Sequence, residues 1–100
     1  MTRLPRFYVY LLIAREDGMI YTGYTSNLRR RFKQHNAETN KGFTRGKRWH
    51  LLAVRCFLDA DTALLFERQV KKSRRLKTRW INSTGRLRTL CERYGISCSY

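Results

Sequence analysis

Hydrophobic positions along this chain fall into short stretches with two different periods. Phe7 to Ala14, FYVYLLIA, is a continuous run of aromatic and aliphatic residues closed by Arg15, Glu16 and Asp17. Its β-forming content predicts a buried strand. Glu16-Asp17-Gly18 reads as a turn and Met19 to Thr22 as a returning strand, together a hairpin. Gly23 is expected to end that strand. Thr25 or Ser26 is then expected to cap a helix reaching about Asn36, since a side-chain oxygen there can accept an orphan backbone N–H. Residues 37–50 show no period and hold two glycines and four Lys/Arg, which predicts a loop.

Leu51 to Leu58 follows as a third strand interrupted at Arg55, and Asp59 to Thr62 supplies caps for a second helix reaching about Lys72. Leu76 to Asn82 reads as a short third helix. Gly85 parts it from a last helix at about Arg86 to Tyr94, which Gly95 stops. A hairpin, a helix, one more strand and then helices predict an α+β domain, a small, mostly antiparallel sheet covered by helices. The whole chain, 1–100, is expected to be one domain with a core over about 7–80 and a C-terminal helical extension over about 83–100.

Both longer helices carry polar residues where their apolar stripes should continue. Leu28, Arg31, Phe32 and His35 share one face of the first, and Ala63, Phe66, Glu67 and Val70 share one face of the second. Charge turned toward a core is costly unless it is paired, metal-bound or lining a cleft. Two readings are open. Arg31 and Glu67 form a buried ion pair, or Arg31, His35 and Glu67 surround a phosphate-binding pocket. Arginine offers a planar fork for phosphate oxygens, and glutamate a hard oxygen for Mg²⁺ or Mn²⁺. Tyr8 and Tyr10 alternate with Val9 and so share a sheet face, and Tyr21 closes the second strand beside the helix start.

Charge narrows the partner. The formal net charge is +15, from 22 Lys+Arg against 7 Asp+Glu, and this favours an anionic partner, nucleic acid first and an anionic membrane surface second. Lys71, Lys72, Arg74, Arg75, Lys77 and Arg79, interleaved with Leu76 and Trp80, read as a nucleic-acid face. Three cysteines without a CxxC pair and two histidines argue against a zinc site and for a reducing compartment. The apolar start is too short for a bilayer span and lacks a cleavage site, so the expected location is the cytoplasm.

Taken together, these residues resemble the GIY-YIG endonuclease superfamily, and most nearly its small stand-alone bacterial members. Tyr8-Val9-Tyr10 matches the first signature tripeptide without its initial glycine, and Tyr21-Thr22-Gly23 matches the second with Thr for the middle Ile. YTGYTSNLRRRFKQHN, KGFTRG and ALLFERQVKKSRRLK are similar to further segments of that family, in the same order. The resemblance covers roughly residues 7–80. It implies a central three-stranded antiparallel sheet flanked by helices and divalent-metal-dependent hydrolysis of a nucleic-acid phosphodiester; the first hypothesis is a DNA endonuclease, with structure-selective or single-strand cleavage as options within it. Tyr10, Tyr21, Arg31, His35 and Glu67 fall on the catalytic positions, with Glu67 as the ligand for Mg²⁺ or Mn²⁺. Arg31 would neutralise phosphoryl charge, Tyr10 or Tyr21 would orient or deprotonate the attacking water, and His35 would share the proton work. Nucleic-acid contacts are expected from Lys41, Thr44 and Arg45 of KGFTRG and from Lys71, Lys72 and Arg75 of the basic run. Asn82 stands where some members carry an asparagine. The alternative is a DNA- or RNA-binding module that keeps the fold without cleaving.

Overall fold

In a computed structural model, which describes residues 6–37, 39–40, 42–84 and 92–94, the apolar run becomes the central strand. The elements are β1 (Phe7–Ala14), β2 (Ile20–Thr25), α1 (Leu28–Asn36), β3 (Trp49–Phe57), α2 (Ala60–Lys72) and α3 (Arg74–Ser83). The three strands form one antiparallel sheet in the order β2-β1-β3. Central placement suits β1 because both of its faces are covered; Val9, Tyr10, Leu11 and Leu12 are all buried. The turn into β2 needs a residue at positive φ, which Gly18 supplies at φ 73°.

Each sheet face has its own core. Tyr10, Leu12 and Ala14 pack with Leu28 and Phe32 of α1 and with Trp49 and Leu51 of β3. Leu11 packs on the opposite face with Ala53 and with Val70 of α2, and Phe66, Leu76, Trp80 and Ile81 close around them. Leu51 and Ala53 share parity yet serve opposite faces. The cause is a register shift between Leu11 and Leu12, where Leu52 is the extra residue and the side-chain alternation of β3 reverses.

The structure corrects several expected boundaries. β2 passes through Gly23 and ends at Thr25, because Gly23 pairs with Tyr10 and leaves room for its ring. The cap of α1 is Asn27, neither Thr25 nor Ser26; its side chain accepts from the Arg30 N–H at 3.1 Å, while Thr25 Oγ1 accepts from the Asn27 N–H at 3.0 Å. β3 starts at Trp49, whose backbone is held from both sides by Asn36: the Trp49 N–H donates to Asn36 Oδ1 at 2.7 Å and Asn36 Nδ2 donates to the Trp49 carbonyl at 3.1 Å. Arg55 does not interrupt the strand; its guanidinium lies over the rings of Phe57 and Phe66 at 5.1 and 4.9 Å.

α3 begins at Arg74, earlier than its apolar pattern suggests, with the Ser73 hydroxyl accepting from the Leu76 N–H at 3.1 Å. Leu76 and Trp80 point into the second core, Trp80 edge-on to Phe66 at 5.0 Å, so they belong to the fold and not to a nucleic-acid face. The expected last helix, Arg86 to Tyr94, lies outside the described residues except for a helical stretch at 92–94. There Tyr94 meets Tyr8 edge-on at 5.7 Å.

A side chain at Gly23 would collide with the outer end of the Tyr10 ring. Gly23→Ala is therefore expected to lower stability by about 1–3 kcal/mol, the usual cost of overpacking. Urea unfolding of Gly23→Ala, Tyr10→Ala and the double variant checks it, with the Gly23→Ala penalty shrinking once the ring is gone.

Candidate active site

The site is assembled where α1 crosses the β1–β2 pair. Leu28, Phe32 and His35 bury the helix's apolar stripe, and His35 is only 3% exposed. Its imidazole lies between two hydroxyls, with Nε2 2.7 Å from the Tyr10 hydroxyl and Nδ1 2.7 Å from Thr44 Oγ1. A neutral imidazole suits this pair, donating from one nitrogen and accepting at the other. Burial foremost, and then the charge of Arg31, hold the His35 pKa down to about 4. Asn40 locks the far end, its amide donating to Thr44 Oγ1 at 2.9 Å and to the His35 carbonyl at 3.0 Å.

Arg31 departs from its expected placement in the core. It is exposed, at the edge of the stripe, and its guanidinium donates to Gln34 Oε1 at 3.2 Å. Tyr21 lines a cleft with it. Burial alone would lower the Arg31 pKa, but the phenols of Tyr10 and Tyr21 outweigh that and raise it. Among the described residues the ion pairs are Lys47–Asp17 at 2.6 Å and Lys71–Glu67 at 3.6 Å, so the buried Arg31–Glu67 pair is not formed.

Glu67 rises from α2, which packs on the other face of the sheet beneath β1 and β2. Its charge nevertheless reaches Tyr10. Burial foremost, with Tyr21 and more weakly Glu67, pushes the Tyr10 phenol up, against the opposing pull of Arg31. Tyr10 thus feels Tyr21, Arg31 and Glu67, while His35 feels Arg31. Of the five residues singled out in the sequence, Tyr10, Tyr21, Arg31 and His35 gather on one sheet face, and Glu67 acts on Tyr10 from the other. Tyr10 is 1% exposed and stays a neutral phenol, while Tyr21 is half-buried, within 6.4 Å of Tyr10 and 5.0 Å of His35 between ring centres. Tyr21 is therefore the phenol that faces an open cleft of about 200 Å³, bounded also by Arg31, Gln34, His35 and Phe43.

No cluster of three His, Cys, Asp or Glu side chains occurs among the described residues, and the carboxylate expected to hold a metal ion is that of Glu67. That donor set fits Mg²⁺, or Mn²⁺ in its place, where water and substrate phosphate complete the coordination. The expected nucleic-acid contacts divide. Arg45, Lys71, Lys72 and Arg75 are exposed, whereas Lys41 lies outside the described residues. Thr44 is 3% exposed, with its hydroxyl engaged by His35 and Asn40 and its carbonyl accepting from the Trp49 indole at 2.8 Å. It positions His35 and presents no hydroxyl to a ligand. Asn40 and Phe43 join the site from the loop, where the sequence shows no period, and Gln34 joins it from outside the apolar stripe of α1, so no pattern marked them beforehand. No helix among the described residues is long and apolar enough to cross a membrane.

Comparison with known proteins agrees with this fold. A family model described as the GIY-YIG catalytic domain matches residues 6–80. The chain is 38% identical to the UPF0213 protein BH0048 of Halalkalibacterium halodurans over 80 residues, 78% of this chain and 84% of that one. It is 34% identical to a UPF0213 protein of Haloquadratum walsbyi over 79 residues, 78% of this chain and 88% of the other. The fold also resembles the solution NMR structure of the UPF0213 protein BH0048 from Bacillus halodurans. The TM-score is 0.53 at 36% identity, over 80% of this chain and 86% of that one.

A pH dependence follows from His35. Unfolded, the imidazole takes its proton near 6.5; folded, it does so near 4. Between those values only the unfolded chain binds the proton, so the folded state loses stability as pH falls. The contribution of this one group approaches about 3 kcal/mol by pH 4. NMR titration of the His35 ring should give a midpoint near 4, and a midpoint at its ordinary value would overturn the assignment. In His35→Gln the corresponding slope of urea stability between pH 6.5 and 4 should be lost.

Proposed function

Because the chain belongs to the GIY-YIG family of catalytic domains, whose general activity is that of a nuclease, we propose that it is a divalent-metal-dependent endonuclease that hydrolyses DNA phosphodiester bonds. The observation that carries this reading is the cleft lined by Tyr21, Arg31 and His35 and backed by buried Tyr10, on which the charge of Glu67 also acts. Water attacks phosphorus, one of its protons passes to a base, and the bond to the leaving oxygen breaks as that oxygen takes up a proton. The products are a phosphate monoester and an alcohol.

Arg31, exposed at the rim, meets the phosphate and neutralises charge developing on its non-bridging oxygens. Tyr21, facing the cleft, orients the attacking water. Tyr10 does not serve as the base in this state, since burial keeps its phenol protonated; its hydroxyl and His35 hold the wall against which Arg31 and Tyr21 are set. Glu67 would hold the metal ion, and a divalent cation bound there would supply positive charge against the charge developing in the reaction. Arg45, Lys71, Lys72 and Arg75 follow the strand's phosphates as sequence-independent contacts.

Glu67→Ala is expected to reduce Mg²⁺- or Mn²⁺-dependent cleavage of labelled DNA by about 10²-fold or more while leaving metal-free DNA binding nearly unchanged. Arg31→Ala should lose a similar factor, and Arg31→Lys should restore little because the ammonium lacks the fork. If Glu67→Ala cuts as well as the parent, the metal assignment is wrong. If the parent cuts none of a panel of single-stranded, duplex, flap and RNA substrates, the chain is a binding module.

A further inference from the structure

Phe43 is the most exposed large hydrophobic side chain among the described residues, at 79%. Exposure of one apolar residue has no meaning by itself, but the place of this one does. Phe43 lines the cleft that also holds Tyr21, Arg31 and His35. Its ring lies 6.3 Å from that of Tyr21 and is inclined to it by 31°, so it continues the aromatic wall outward from the candidate catalytic phenol.

The backbone on either side of Phe43 is tied down. The Gly42 N–H donates to Asn40 Oδ1 at 2.9 Å. On the other side, the Thr44 hydroxyl is engaged by His35 and Asn40, and its carbonyl accepts from the buried Trp49 indole at 2.8 Å. The core beneath is already filled by Trp49, which leaves no place for the ring to turn inward. The loop thus holds a flat apolar surface in water beside an arginine suited to phosphate. Its ordering cost is met before any ligand arrives.

We infer that Phe43 is a stacking platform for an unpaired nucleobase of the DNA strand whose phosphate meets Arg31, and that it makes the chain prefer single-stranded or frayed DNA to paired duplex. In a duplex both faces of each base are covered by its neighbours, so a ring at the cleft mouth gains nothing there. In a single strand one face is free to cover the ring. The net charge of +15 attracts either form through its phosphates and cannot by itself separate them. The inference rests on the nuclease reading only for which phosphate lies beside the stacked base.

Fluorescence anisotropy in the presence of EDTA tests it on three probes of equal length: oligodeoxythymidylate, the same backbone with abasic residues throughout, and a paired hairpin. Phe43→Ala should bind the thymidylate roughly 10-fold or more weakly than the parent, with abasic and hairpin binding changed by less than about two-fold. Phe43→Trp should recover the thymidylate binding. Because the side chain is mostly in water, the alanine variant leaves the core intact. Equal weakening on all three probes, or no weakening on the thymidylate, overturns the inference. Glu67-dependent cleavage together with unaltered Phe43→Ala binding would retain the nuclease reading and discard this one. The predicted binding pattern in a parent that cuts nothing would do the reverse.

Discussion

The buried hydrogen bond between the Tyr10 hydroxyl and His35 Nε2, at 2.7 Å, joins the central strand to the first helix. Two polar groups this deep in a protein are costly unless each satisfies the other. Here the satisfaction extends outward. His35 passes its second nitrogen to Thr44, and Asn40 holds both Thr44 and the His35 backbone. A loop without periodic structure is thereby fixed to the sheet. The chain is rigid because every member is paired, and among the described residues no buried side-chain polar atom lacks a partner. Gly23 is the steric condition for all of it, since any side chain there would displace the Tyr10 ring.

That network also explains why Arg31 is exposed. An arginine driven into the core opposite Glu67 would be a structural ion pair, closed to ligands and offset by its own desolvation. At the rim, the guanidinium keeps its charge in contact with water, and the phenols of Tyr10 and Tyr21 favour that charge. A phosphate can then approach without displacing a buried partner. Burial foremost, helped by the same positive charge, suppresses protonation of His35, which keeps the imidazole neutral and the hydrogen-bond network intact at neutral pH. Arg31 therefore helps to keep the network beside it in its neutral form.

Much of this was legible in the sequence, and what was not has definite causes. The run Phe7–Ala14 announced a central strand because continuous apolar character means two covered faces. Leu28, Phe32 and His35 lie on the buried stripe their spacing required. Arg31 did not, because a residue three positions on sits at the stripe's edge, and a long side chain there decides between core and rim by its partners. The reversal at Leu52 left no mark either; a bulge is one inserted residue within a strand whose composition stays the same. Leu76 and Trp80 looked like part of a basic face until the Ser73 cap set the phase of α3. Thr44 looked like a surface contact because the alternation of small, aromatic and basic residues in KGFTRG says nothing about which of them turns inward.

The division of the site between two layers has a mechanical consequence. Arg31, Tyr10, Tyr21 and His35 belong to the α1 face, while Glu67 comes from a helix packed on the opposite face. Their relation is set only through the strands between them, and β2, at six residues, is the thin edge of that sheet. Ala63 and Val70, both fully buried, fix α2 one turn to either side of Glu67, so the carboxylate is positioned by apolar packing and not by a bond to the residues of the cleft. Its one ion pair, to exposed Lys71 at 3.6 Å, is long and weak. The carboxylate is thus held in place by its helix yet only lightly engaged, the condition under which a single acidic side chain can take a cation without first breaking a strong internal contact.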